Sequence, residues 1–213
     1  MKQTLLLLLS SAVVLSQSCR KDDVKPRETV LYETDFSSDD GQWPTGTLAT
    51  GVSADIQNNY YQITSRNTSY YVYASSRFNG VSGNTAIEAS VSVSAIGNPA
   101  TLYPGGLAWN INPSRNLVFM FGIYPDGQFA IGGWPDANGF VSYKDPTTST
   151  AIRTGGFNTL RIELRNKRLY FFINGTQVHD MSPVNDSSLD LPGLILGGPD
   201  LSMRTDHFKA VQF

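Results

Sequence analysis

The chain has 213 residues, 40 % of them hydrophobic and 16 % charged, with a formal net charge of −2 and one cysteine. So mild a charge argues against nucleic acid or an anionic membrane surface as a partner, and one thiol excludes an internal disulfide. The length suffices for one well-packed domain that relies on its core.

In chain order the first element is a leader. Lys2 supplies a positive start, residues 5–15 form a predominantly apolar run of eleven, and Ser16, Gln17 and Ser18 are small or polar. This is the layout of a secretory signal, and the run is well short of the roughly 20 residues that a membrane-spanning helix needs. Cys19 follows directly. Signal and cysteine together resemble the lipobox of bacterial lipoproteins, which implies diacylation of Cys19. Ser16 departs from that pattern, which wants a large aliphatic residue three places before the cysteine. Arg20, Lys21, Asp22 and Asp23 resemble the charged export signals of surface lipoproteins in some Gram-negative bacteria. The expected organisation is a signal peptide over 1–18, a lipidated cysteine and tether over 19–28, and one folded domain over 29–213. The implied location is the outer membrane or cell surface, with the membrane reached through the lipid alone.

From residue 30 onward the chain reads as strands and turns. Ile87, Ala89, Val91 and Val93 alternate with Glu88, Ser90, Ser92 and Ser94, and Leu160, Ile162 and Leu164 alternate with Arg161, Glu163 and Arg165. A period of two predicts strands with one buried face. Between these, Leu117, Phe119, Phe121 and Ile123 form one apolar row and Val118, Met120 and Tyr124 another, which predicts a strand covered on both faces. Asp126-Gly127 and Asn174-Gly175 separate further strand pairs and favour the φ > 0 conformations of tight hairpins. Tyr60-Tyr61 and Tyr70-Tyr71-Val72-Tyr73 should each place neighbouring rings on opposite faces. No window keeps a helical apolar period, and no internal repeat or second apolar span is present. The fold class is all-β, in a two-sheet antiparallel sandwich.

The order of several short strings carries a resemblance. Tyr32-Glu33-Thr34-Asp35-Phe36 opens the domain, and Gly105-Gly106-Leu107-Ala108-Trp109 and Tyr124-Pro125-Asp126-Gly127 follow. Asn158-Thr159-Leu160-Arg161 precedes Ile173-Asn174-Gly175, and Thr205-Asp206-His207-Phe208 closes the chain. This resembles the concanavalin A-like (laminin-G-like) jelly rolls, with His207 where the closing motif usually carries Asn. The resemblance covers nearly all of the domain and implies a concave sheet that often holds carbohydrate. It does not fix catalysis, since lectins, binding modules, hydrolases and lyases share the fold. It also implies one structural calcium ion near the first and last strands, at Asp35 and Asp206. No other cofactor is expected.

Catalytic signals are weak. Glycoside cleavage needs two carboxylates flanking the bond, and hydrolases of this fold carry Glu-x-Asp-x-x-Glu on one strand. The nearest string, Glu33-Thr34-Asp35-Phe36-Ser37-Ser38, lacks the last Glu and lies on the opening strand. Glu88 and Glu163 stand alone on polar strand faces, where solvated surface is the simpler account. His179 and His207 have no ligand spacing, and neither a phosphate-binding Gly-rich loop nor a Gly-x-Ser-x-Gly elbow occurs. Aromatics carry the binding signal, because a sugar ring packs on Trp or Tyr while nearby polar groups meet its hydroxyls. The candidate set is Trp134, Tyr124, Gln128, Asp136, Asn138, Trp109 and Asn110, with a core role for Trp109 the stronger alternative, since it shares parity with Leu107 and Ile111. The expectation is a monomeric, non-catalytic, poly- or oligosaccharide-binding lipoprotein. A carbohydrate-active enzyme on the same fold and an adhesion subunit are the alternatives.

Overall fold

The computed structural model describes residues 27–66, 72–75, 83–115, 117–184 and 188–213. The leader, Cys19 and the tether as far as residue 26 lie outside the described residues, as do Tyr70 and Tyr71. The strands are β1 (Thr29–Thr34), β2 (Gly46–Ala49), β3 (Val52–Gln57), β4 (Tyr60–Ser65) and β5 (Val72–Ser75). They continue with β6 (Thr85–Ala95), β7 (Gly105–Asn112), β8 (Leu117–Ile123), β9 (Gln128–Trp134) and β10 (Val141–Thr148). The last five are β11 (Asn158–Arg165), β12 (Arg168–Ile173), β13 (Thr176–Met181), β14 (Gly193–Leu196) and β15 (Leu201–Gln212). A 3-10 turn, Pro113–Arg115, separates β7 from β8. No helix among the described residues is long and apolar enough to cross a membrane.

Two antiparallel sheets form a jelly-roll-like sandwich of concanavalin A-like topology. One is nine-stranded, in the order β13-β12-β11-β6-β15-β4-β3-β2, with β1 also paired to β15. The other is six-stranded, in the order β10-β9-β8-β7-β14-β5. The alternation in the sequence decides which side chains meet. Ile87, Ala89 and Val91 of β6 and Leu160 and Ile162 of β11 are fully buried, and they join Leu107, Phe119, Phe121 and Ile131 of the facing sheet in one core. Every residue of β8 is buried, so that strand is covered on both faces. The two hairpins turn where expected, with Gly127 at φ 91°, Asn174 at 49° and Gly175 at 80°; left-handed backbone is cheapest for Gly and tolerable for Asn.

Two local features break the simple alternation. On β7, Trp109 pairs with Phe119 and Asn112 with Leu117, so three steps on β7 match two on β8. Asn110 sits in this bulge at φ 54°. The extra residue turns the strand over, and Ile111 leaves the core face to join Ala108, Val118, Met120 and Ile195 on the outer side of the six-stranded sheet. The shared parity of Trp109 and Ile111 is therefore corrected: they point to opposite faces. On β15, Asp206 occupies a second irregularity, between Thr205 and His207. There β15 exchanges one neighbour for another, β4 as far as Thr205 and β1 from Phe208 on. Phe36, Trp43, Tyr61 and Phe208 pack around this exchange, with ring centroids 4.9–5.6 Å apart.

Candidate functional site

The strand directions divide the expected binding residues into two groups. Tyr124 and Gln128 flank the β8–β9 hairpin, where Gln128 donates to Asp126 Oδ2 at 2.7 Å. Burial, then the charge of Asp126, raises the pKa of the half-buried Tyr124 hydroxyl, so that it remains a neutral donor. Trp134, Asp136 and Asn138 lie at the other end of β9, about 20 Å away at roughly 3.3 Å per residue. Asn110 belongs with the second group, because Trp109 pairs with Phe119 and Val118 with Trp134. Trp109 belongs to neither. It is 1 % exposed and stacks on Phe119 at 5.6 Å inside the sandwich, so it is core and offers no ligand platform.

At the Trp134 end an exposed aromatic ring and a polar loop lie together. Phe140, 46 % exposed, meets Trp134 edge-on at 4.9 Å and lies directly over Gly132. A Cβ at Gly132 would fall 2.3 Å from the Phe140 ring, so the glycine is what lets the ring sit down on the sheet. Asp136 and Asn138 are exposed in the connecting loop, where Asp136 Oδ1 accepts the Asn138 amide at 2.7 Å. Phe140 was not singled out by the sequence; an aromatic directly after the Asp136–Gly139 loop was the only available cue. The remaining outward side chains of β7, β8 and β9 include Ala108, Val118, Met120, Gly122 and Ala130, all buried. These three strands contain no Asp or Glu.

Carboxylates converge instead on the outer face of the nine-stranded sheet. Arg161 pairs through Nε with Glu163 at 2.7 Å, through one terminal nitrogen with Glu88 at 3.3 Å, and through the other with Glu28 at 2.6 Å. Arg165 adds a contact to Glu163 at 2.9 Å, and Lys209 one to Glu28 at 3.5 Å. Burial works against the Arg161 charge, yet Glu163, Glu28 and Glu88 outweigh it and raise its pKa. A depression of about 470 Å³ runs along β11 past these groups, lined also by Phe172 and Phe213. Two expectations change here. Glu88 and Glu163 are not solitary surface groups, and Glu28, assigned to the tether, is bound to the domain. With all three carboxylates held by cations, the cluster acts first as a cross-strand clamp.

The calcium expectation meets a short donor set. Asp35 is exposed at the end of β1, where the Ser37 hydroxyl first and then the Ser37 amide, which Oδ1 accepts at 3.0 Å, lower its pKa. Asp206 keeps one buried carboxylate oxygen without a hydrogen-bond partner. A calcium ion takes 6–8 oxygens, and among the described residues no three His, Cys, Asp or Glu side chains gather as a metal cluster. His207, the departure from the closing motif, contacts Glu33 Oε1 through Nε2 at 2.9 Å.

No family model matches the sequence, and the search of curated proteins finds no match. Solved structures do resemble the fold. The carbohydrate-binding module CBM66 from Bacillus subtilis superposes with a TM-score of 0.54 at 10 % identity, over 87 % of this chain and 95 % of its own. The endo-β-1,3-glucanase from Pyrococcus furiosus gives 0.57 at 11 % identity, over 87 % and 95 %. The exoplasmic domain of VIP36, in its calcium- and mannose-bound form, gives 0.56 at 13 % identity over 76 % and 81 %. At such identities the likeness is one of fold. That fold serves both carbohydrate-binding modules and glycoside hydrolases.

Proposed function

We propose that this chain is a lipid-anchored, extracytoplasmic saccharide-binding domain. Cys19 carries the lipid, residues 20–27 form the leash, and the sandwich presents the Trp134–Phe140 pair to a glycan. The observation that carries the reading is the pairing of the exposed Phe140 with the half-buried Trp134 at 4.9 Å, bordered by the exposed Asp136–Asn138 turn, on a sheet whose β7, β8 and β9 hold no carboxylate. Stacking on aromatic faces with a few polar neighbours is how sugars are held without chemistry. The chain without its leader, with Cys19→Ser to keep it soluble, would be screened on a glycan array. Trp134→Ala and Phe140→Ala are expected to lower the affinity for the strongest ligand by about tenfold or more, as loss of a stacking platform does. A flat array sinks the reading.

A second reading, a glycoside hydrolase, draws support from the shared fold and from Glu88 and Glu163 beside the β11 depression. Released reducing ends from β-glucans, abolished by Glu163→Gln, would establish it in place of the first. The Arg161 ion pairs weigh against it, because they already engage both carboxylates in the cross-strand clamp.

A further inference from the structure

The outward face of the nine-stranded sheet has a second feature, away from the Arg161 clamp. Tyr60 and Phe157 stack at 5.5 Å with only 17° between their planes. Arg204 lies over both rings, its guanidinium carbon 5.5 Å from the Tyr60 centroid and 5.8 Å from that of Phe157. Phe157 precedes β11, Tyr60 starts β4 and Arg204 is mid-β15, so the two rings reach each other across β6 and β15, which lie between them. Ser92 of β6 pairs with Arg204 and is only 6 % exposed although it points outward. The side chains around it form two rows in register. Ser92, Arg204, Gln62 and Asp55 make one, and Ser94, Ser202, Thr64 and Ser53 the next.

We propose that this surface is a second saccharide site, specific for a sugar that bears an anionic group, with Arg204 as its anchor. Arg204 is exposed, and among the described residues no carboxylate lies within ion-pair distance of it, unlike Arg161, Arg165 and Arg168. Rings beneath a guanidinium fix its plane and leave its N–H edge directed outward. Such a fork matches the two oxygens of a carboxylate or sulfate. The rows of serine, threonine and glutamine hydroxyls and amides supply donors and acceptors at the 4.8 Å spacing of about one strand, suited to the hydroxyls of a sugar chain. A nucleic acid or an anionic bilayer would need several cations, whereas this row offers one, and it carries Asp55. The site is separate from the Trp134 surface, and its carrier being a sugar rests on the reading above.

Affinity electrophoresis of the leaderless Cys19→Ser chain tests it, with polygalacturonate, dextran sulfate or neutral dextran in the gel. Wild type is expected to be retarded by polygalacturonate, by dextran sulfate or by both, and the response of each gel tells a uronate from a sulfate ester. Arg204→Gln should weaken that retardation about tenfold or more, and Arg204→Lys should fail to restore it, because lysine lacks the bidentate fork. An unchanged melting temperature of Arg204→Gln confirms that folding is intact, as expected for an exposed side chain. Trp134→Ala should keep full retardation, which separates this site from the first whatever the glycan array gives. Equal retardation of wild type and Arg204→Gln overturns the proposal. So does Arg204-dependent binding of a single-stranded oligonucleotide or of anionic vesicles without retardation by either acidic polysaccharide.

Discussion

Arg161→Met is expected to destabilise the domain by about 2–3 kcal/mol, a melting temperature lower by roughly 5–10 °C for a domain of this size. Arg161 holds three carboxylates from three places in the chain: the end of the tether, β6 and its own strand β11. Its side chain is 15 % exposed and that of Glu163 14 %, so the pairs are screened less than ordinary surface pairs. Removing one partner of a buried pair costs about 3–5 kcal/mol because the other charge stays behind. The value here falls below that range because Arg165 still serves Glu163 and Lys209 still serves Glu28. Glu88 is the group left with no replacement ion pair. Glu88→Gln in the Arg161→Met background should therefore recover part of the loss, while the same change in wild type should not stabilise. Urea melts of the four proteins give the coupling directly. A melting temperature within 1 °C of wild type for Arg161→Met, with additive single changes, would reduce the cluster to surface decoration.

How much of this could be read beforehand depends on the distance over which each feature is determined. Strands β6, β8, β11, β12 and β13 show in the sequence because side-chain period and turn dipeptides are local. Tyr61 enters the core and Tyr60 leaves it for the same reason. Features set by register were hidden. Glu88 and Arg161 are 73 residues apart and meet only because β6 and β11 pair in that frame. The Asn110 bulge flips Ile111 without any mark in the strand's composition beyond the asparagine itself. Of the expected site, Trp134, Asp136, Asn138 and Asn110 are brought to one end of the six-stranded sheet, while Tyr124 and Gln128 go to the other. Trp109 is consumed by the core because a large ring at an inward position of a central strand is more useful in packing than in binding. The stack of Arg204 on Tyr60 and Phe157 was hidden in the sequence, since a cation–π contact across four strands leaves no spacing to find.

Trp43→Ala should be more damaging still, by about 3–5 kcal/mol, the range for emptying a large aromatic from a core. Trp43 is 3 % exposed and sits in the loop between β1 and β2, yet its ring meets Phe208 at 4.9 Å, Tyr61 at 5.3 Å and Phe36 at 5.6 Å. Its Nε1 donates to the Tyr32 hydroxyl at 2.9 Å, and that hydroxyl donates to Asp40 at 2.7 Å. The residue thus plugs the place where β15 changes neighbours from β4 to β1, which ladder hydrogen bonds alone leave open. Trp43→Phe keeps most of the packing and loses one donor, so it should cost only about 1 kcal/mol more than its lost volume. The damage should also be local before it is global. Among the described residues β1 pairs with β15 alone, and with the plug gone its amides have the least to hold them. Hydrogen exchange of Trp43→Ala is therefore expected to accelerate first over residues 29–34, ahead of β6 and β11. Because β1 joins the leash to the domain, the same change should expose the 35–42 loop to protease while the glycan surface at Trp134 still binds. Uniform acceleration across both sheets would instead make Trp43 an ordinary core residue, with no special part in closing the β15 exchange.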